Sequence, residues 1–175
     1  GDYKDCFTVI NLEKVSGTDP NDSSGSTFVQ RASGSNYNAD GTNTKNISAP
    51  GTSIYSTLTS GDYGNKSGTS MASPAVAGVA ALLFAYDSSL SPDEAQTLLE
   101  QTATDIGDEG WDEETGYGEV DAYHALQVLD AEISIEDIKF GETAVLKLVC
   151  SDGSTLPISE YAWTSSNPNI VSIDS

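Results

Sequence analysis

From Ser70 to Phe84 the chain reads SMASPAVAGVAALLF, rich in Ala, Val and Leu and without a charged residue. A helix with no polar face has to be buried on all sides. This segment therefore requires the rest of the domain to be built around it. The apolar stretch from Ala75 to Tyr86 contains Gly78 and falls short of the ~18 residues that a membrane span needs, so a core helix is expected and no membrane span.

The flanking segments supply partners for such a helix. Cys6-Phe7-Thr8-Val9-Ile10-Asn11 is a short apolar run of the kind that forms a buried parallel strand. Residues 16–46 are rich in Ser, Gly, Asn, Asp and Thr and read as turns and loops, with one strand at Thr27-Phe28-Val29-Gln30. Ala49-Pro50-Gly51 is expected to break the chain, Ser53 to Leu58 alternates like a strand, and Gly61 to Gly68 reads as a loop. A second helix starts at Ser91, where Pro92 suits the first helical position and Glu94 completes a capping box. Its apolar stripe is Ala95, Leu98, Leu99 and Thr102. A third helix, about Val120 to Leu129, carries Ala122, Ala125, Leu126 and Leu129.

After Ala131 the pattern changes to strands. Ile133 and Ile135 alternate with Ser134 and Glu136, while Leu146, Leu148 and Cys150 share a face opposite Lys147. Asp152-Gly153 makes a turn and Tyr161 to Ser165 another strand. Strands at this spacing around a central Trp163 suggest a β-sandwich, for which the 44 residues after Ala131 are too few to be complete. The expected organisation is 1–131 as one domain and 132–175 as a truncated second one. Both ends read as cut through structure, so the chain is expected to be a piece of a longer protein.

Charge and metal-ligand content narrow the function. The chain carries 27 acidic and 7 basic residues, a formal charge of −20. Such a surface repels phosphate backbones, so nucleic acid is excluded as a partner. Two cysteines, Cys6 and Cys150, and one histidine leave no zinc or iron–sulfur site. The cysteines are expected to be free, buried thiols.

The chemistry lies in Asn65-Lys66-Ser67-Gly68-Thr69-Ser70-Met71-Ala72-Ser73-Pro74-Ala75-Val76-Ala77-Gly78. A Gly-containing loop delivers Ser70 to the start of the apolar helix, where unpaired N–H groups gather and the dipole is positive. An oxyanion formed on an attacked carbonyl would be stabilised there. Pro74 has no N–H to give the Ser70 carbonyl, which predicts a distorted first turn. An isolated Gly-Thr-Ser would read as an ordinary helix cap. The longer string strongly resembles the nucleophile motif of the subtilisin-like serine peptidases. Ala49-Pro50-Gly51 and Gly116-Tyr117-Gly118-Glu119-Val120-Asp121-Ala122 resemble the same family, in the right order, over roughly residues 3 to 129.

That resemblance implies the C-terminal part of a subtilisin-like α/β parallel-sheet domain with a buried nucleophile helix. It implies that Ser70 is the catalytic nucleophile and that its N–H helps form the oxyanion hole. Thr69 and Met71 would line the site, and Ser67 and Gly68 would border a bound polypeptide substrate. Position 75, often His in the family, is Ala; that His is not the base. The family's catalytic Asp, His and oxyanion-hole Asn belong to upstream motifs that do not occur here, so the chain alone is expected to be inactive. The sole histidine, His124, is expected to face solvent on the third helix.

A rival reading takes Gly68-Thr69-Ser70-Met71-Ala72 as a near match to the α/β-hydrolase elbow, with Asp105, Asp108 or Asp112 as acid and His124 as base. It needs a strand running directly into Ser70. Subtilisin-like enzymes often bind calcium, so the resemblance allows a calcium ion as cofactor, although its ligands do not map onto particular residues of this chain. The acidic loop from Asp105 to Glu114 lacks the EF-hand spacing and reads as solvated, and no other cofactor is implied. Ile135 to Ser175 resembles a bacterial immunoglobulin-like (group 2) module through Phe140-Gly141-Glu142-Thr143, Ala162 to Pro168 and Ile170 to Ile173. Such a module implies a bacterial extracellular or cell-surface location and cell-surface or carbohydrate contacts. The competing class is a degenerate peptidase domain that acts as a surface binding protein.

Overall fold

The computed structural model describes residues 6–16, 27–38, 46–59, 61–134 and 147–157. The chain divides into two compact units, Gly1–Leu126 and Gln127–Ser175.

The first unit is organised by β1 (Val9–Ser16), the middle strand of a three-stranded sheet. It runs antiparallel to β2 (Thr27–Arg31) and parallel to β3 (Ile47–Pro50), with Val9 opposite Ile47 and Leu12 opposite Pro50. Ile10, Asn11 and Leu12 are all buried, as are Ile47, Ser48 and Ala49. Burial of consecutive residues means that both faces are covered, as the apolar run in this strand requires. Pro50 does not break the chain before a strand forms: it is the last residue of β3, where its missing N–H costs least. The polar composition of residues 16–46 hides Ile47 as the start of this strand.

The outer side of β3 is paired by chain that returns after the second helix. Ser48 N donates to Gly118 O and Val120 N donates to Ser48 O, at 2.8 and 2.9 Å. Glu119 pairs in turn with Thr104. Gly118 has φ 110, and a Cβ there would stand 2.2 Å from the Thr104 carbonyl oxygen. Only glycine fits this crossing, which gives the Gly-Tyr-Gly-Glu string a structural reason.

Helix α1 (Thr69–Tyr86) lies on β1 and β3, and α2 (Pro92–Gln101) packs against α1. Ala72, Val76 and Leu83 of α1 and Ala95 and Leu99 of α2 are buried. Each fully buried Leu contributes about 2 kcal/mol. The expectation of a helix buried on all sides is corrected: Leu82 and Tyr86 are 51% and 56% exposed. The physical reason is that, among the described residues, β1, β3 and α2 cover one side of it. Because the helix begins at Thr69, it is also long and apolar enough to cross a membrane by length and composition. Its contacts with β1 and β3 are those of a domain helix.

Two further strands, β4 (Ile54–Thr57) and β5 (Tyr63–Lys66), form an antiparallel hairpin whose exposed Tyr55 and Tyr63 rings stack 6.0 Å apart. Helix α2 opens as its sequence dictates: Ser91 and Glu94 close a reciprocal capping box with Pro92 at the first position. Helix α3 (Ala122–Asp130) buries Ala125 and starts two residues later than its apolar pattern predicts. The cause is Asp121, whose carboxylate accepts from His124 N at 2.8 Å and so holds the helix start.

In the second unit β6 (Glu132–Ser134), β7 (Lys147–Val149) and β8 (Thr155–Leu156) form an antiparallel sheet in that order. Leu148 and Cys150 are buried and Lys147 is exposed, the alternation that its sequence predicts. The Asp152-Gly153 turn closes through Gly153 N to Cys150 O at 2.8 Å. Phe140 to Thr143, Leu146, Trp163 and Ile170 to Ile173 lie outside the described residues. Both cysteines are free. Cys150 is buried, but Cys6 is exposed, contrary to expectation. Cys6 precedes the start of β1 at Val9 and so lies short of the buried part of the sheet.

Candidate active site

The loop that carries Ser70 is held from below. Gly68 N donates to Gly51 O at 2.8 Å, and Ser53 N donates to Ser67 Oγ at 2.9 Å. These two bonds tie the residues before α1 to the turn that leaves β3. The approach is close: a Cβ on Gly51 would stand 2.7 Å from Gly68 O and 2.9 Å from Ala72 Cβ. Ser53 takes φ 59, a left-handed conformation that costs a non-glycine residue about 1 kcal/mol or more. That strain sits on the segment that bonds the loop carrying Ser70.

The N-cap of α1 is Gly68, with φ 146, and no side chain caps the helix. Met71 N and Ala72 N both donate to Gly68 O, at 2.9 and 3.3 Å. Ser70 is the second helical residue and is exposed. Among the described residues, neither its hydroxyl nor its N–H meets a hydrogen-bond partner. The ordinary role of a serine at a helix start, accepting from the next turn, is therefore not the role of Ser70. Its N–H lies where the helix dipole is positive and where an anionic oxygen would be favoured. No acidic residue stands in the first turn of α1 to compete for that place. The helix is continuous through Pro74, and Pro74 leaves the Ser70 carbonyl without its usual i+4 donor.

Thr69 is exposed and Met71 half-buried, and both flank Ser70 in the chain, as do Ser67 and Gly68. Ser67 Oγ is engaged as an acceptor by Ser53, which fixes its rotamer and leaves its O–H as a donor. The loop reading of Gly61 to Gly68 is corrected: Tyr63–Lys66 is strand β5. Its exposed side chains and single Gly64 gave no apolar alternation to find. This strand does not make an elbow, because it belongs to a separate two-stranded hairpin and Ser67-Gly68 intervene.

His124 does not join Ser70. Its Nδ1 is 3.2 Å from the Thr102 carbonyl and its ring is half-buried, so the expected solvent-facing histidine instead ties α3 to the end of α2. Its place off the apolar stripe hid this, because the tie is polar. Two of the three acids of the rival reading, Asp105 and Asp112, are also committed. Asp112 accepts from Glu114 N, Thr115 N and Thr115 Oγ1, at 2.6, 2.8 and 2.5 Å, and Asp105 accepts from Gly110 N at 2.7 Å. These carboxylates shape their own loop. Among the described residues no cluster of three His, Cys, Asp or Glu could hold a metal ion.

Residues 2–118 match the subtilase family of S8 peptidases. This chain belongs to the subtilase family. It is 49% identical over 80 residues to the halolysin-like extracellular serine protease Nep of Natrialba magadii, covering 46% of this chain and 14% of that protein. It is 34% identical over 144 residues to halolysin of Haloferax mediterranei, covering 82% of this chain and 26% of that one. Among solved structures, a protease of Pseudoalteromonas arctica PAMC 21717 aligns with a TM-score of 0.50 and 32% identity over 57% of this chain and 32% of that chain. The chain thus spans about a quarter or less of the curated relatives described. Within the subtilases, the family match includes the loop, Ser70 and the whole of α1.

Proposed function

We propose that the protein carrying this chain is a secreted serine endopeptidase and that Ser70 is its nucleophile. The observation that carries the reading is a serine in the first turn of α1 whose hydroxyl and N–H are both unengaged among the described residues, in a subtilase. Ser70 Oγ attacks a peptide carbonyl while a histidine from outside these 175 residues takes its proton, and an aspartate orients that histidine. The carbonyl oxygen becomes the oxyanion that Ser70 N–H helps to stabilise, the C–N bond breaks as the histidine returns its proton to the leaving amine, and water hydrolyses the acyl-enzyme. Ser67, Gly68, Thr69 and Met71 border the polypeptide substrate.

A serine hydroxyl is a weak nucleophile until a base takes its proton. His124, bound to Thr102, is not placed to be that base, so the isolated 175-residue chain is proposed to be inactive. Relatives named as extracellular proteases and the acidic surface support a secreted location. Residues 132–175 are proposed to be part of an immunoglobulin-like module that acts as a spacer or surface contact.

The experiment is to treat the full-length protein with a biotinylated fluorophosphonate, map the adduct by peptide mass spectrometry and measure casein hydrolysis in parallel. Labelling at Ser70 with turnover is expected. A protein that folds but neither labels at Ser70 nor cleaves casein would overturn the reading and support a degenerate peptidase that binds instead.

A further inference from the structure

Asn11 is out of place for a strand of this kind. It sits in β1 between Ile10 and Leu12, pairs with Ala49 of β3 and is only 4% exposed. A buried carboxamide costs free energy unless it is bonded, and an apolar residue would serve the sheet better. The main chain of Asn11 is used for the fold: its N–H donates to Ser35 Oγ and its carbonyl accepts from Ala32 N, both at 2.9 Å. Neither bond needs the side chain.

The side chain points to the nucleophile loop. Asn11 Oδ1 accepts from Thr52 Oγ1 at 3.3 Å and lies so close to Gly51 that a Cβ there would be 2.4 Å away. Gly51 is the residue whose carbonyl holds Gly68 N, and Gly68 is the N-cap that sets how the chain enters α1. Asn11, Gly51, Gly68 and Ala72 therefore form one knot beneath the turn that presents Ser70. Thr52 and Ser53 continue it, since Ser53 N reaches Ser67 Oγ from the other side.

We infer that Asn11 is a positioning residue for the nucleophile, acting through Thr52 and Gly51 on Gly68. It touches neither the substrate nor the reacting atoms. Its amide oxygen fixes the segment after β3 so that the Gly51 carbonyl holds the Gly68 turn and Ser70 Oγ keeps a single attack geometry. The inference rests on the proposal that Ser70 is the nucleophile.

The test uses the full-length protein and four variants: Asn11→Ala, Asn11→Asp, Thr52→Val and the Asn11→Ala/Thr52→Val double. Active sites are counted by fluorophosphonate burst, and kcat per titrated site, KM, the rate of fluorophosphonate labelling and Tm are measured for each. A misplacement of ~1 Å costs on the order of 10²-fold in rate. Asn11→Ala is therefore expected to lower kcat and the labelling rate together by roughly tenfold to a hundredfold, with KM nearly unchanged. Asn11→Asp keeps an acceptor oxygen and should recover most of the rate. Thr52→Val should fall in the same direction, and the double variant should be no slower than Asn11→Ala alone, because both act through one bond.

A purely structural role would lower Tm and leave kcat per titrated site at the wild-type value, which would overturn the inference. So would a slow Asn11→Asp together with a wild-type Thr52→Val. Should Asn11→Ala fail to fold, Thr52→Val and Asn11→Asp decide by the same criteria. Wild-type protein that does not label at Ser70 brings down the proposed function and this inference with it. Wild-type labelling and turnover with unchanged variants bring down this inference alone.

Discussion

Helices α1 and α2 both begin beside a serine, and they treat it in opposite ways. At α2, Ser91 Oγ accepts from Glu94 N at 3.3 Å while Glu94 Oε2 accepts from Ser91 N and Ser91 Oγ at 2.8 and 2.7 Å. Asp93 and Glu94 stand in its first turn. Donors are satisfied and the dipole is answered, so the end is closed on itself. At α1 the N-cap is a glycine, no side chain caps the helix and the first turn holds no acid. In a chain with 27 acidic residues, that gap keeps the positive end of the dipole open to an incoming anionic oxygen. One helix start is closed by its own side chains, and the other carries no side-chain cap and no acid.

The comparison breaks first at Ser70. Ser70→Ala in the full-length protein is expected to lower kcat on casein by about 10⁶-fold, the magnitude found for subtilisin without its serine, while Tm stays within about 1 °C because an exposed hydroxyl supports nothing else. A variant that keeps measurable Ser70-independent turnover would assign the chemistry elsewhere. Next in size is Gly51→Ala. Its Cβ would meet Asn11 Oδ1 at 2.4 Å and the Gly68 carbonyl oxygen at 2.7 Å. Backbone cannot give way cheaply, so stability should fall by about 3 kcal/mol and the surviving folded enzyme should be slow. A Gly51→Ala protein with wild-type Tm and rate would mean that the clasp beneath α1 is not rigid.

At α2 the same kind of substitution should touch stability alone. Ser91→Ala removes a cap whose loss costs on the order of 1 kcal/mol, a drop in Tm of about 3–6 °C, with kcat per site unchanged. Backbone and side-chain hydrogen bonds from Ser91 hold the Glu94 carboxyl below its ordinary value. A depressed acid adds stability above its ordinary pKa and loses it as pH falls through its folded value. The Tm gap between wild type and Glu94→Gln should therefore close as the solution is acidified through the carboxylate range. A gap independent of pH would mean that the charged form of Glu94 plays no part in the cap.

The difference between these helix starts was visible in the sequence to different degrees. Ser91-Pro92-Asp93-Glu94 announces its own structure because every partner lies within one turn. The apolar run after Ser70 likewise marks α1, and the string around it marks the family. What holds Ser70 in place was not legible. The clasp joins Asn11, Gly51, Gly68 and Ser53 across up to 57 residues of sequence (Asn11 to Gly68), and no local pattern encodes such a contact. β3 and β5 were missed for a related reason: a four-residue strand containing Pro50, and another of Tyr, Gly, Asn and Lys, carry no period. The half-exposed face of α1 shows the reverse error. Composition can state what a helix needs covered, and it cannot state whether the covering residues lie within the same stretch of chain.

The smallest expected effect concerns Glu119, which bridges Thr104 and Ser48 at the edge of β3, the strand on which α1 lies. Burial pushes its carboxyl above the ordinary value, with the neighbouring Asp121 charge adding to the rise. An acid whose folded pKa is raised binds its proton more tightly in the folded state. Ionised Glu119 thus opposes folding at neutral pH, and the penalty fades as pH falls through its folded pKa, disappearing below the ordinary value. Glu119→Gln should raise Tm at pH 7 by about 1–2 °C, since solvent screening of a half-buried group leaves only a few tenths of a kcal/mol. The gain should shrink to nothing on acidification. Glu109→Gln, which removes the same unit of charge from an exposed loop position, is the control for the overall charge of −20. Equal gains from the two variants would mean that long-range repulsion, rather than burial of Glu119, sets the effect. A loss at pH 7 would mean that the ionised Glu119 is held by a favourable partner, and that the segment crossing β3 is stabilised by charge instead of in spite of it.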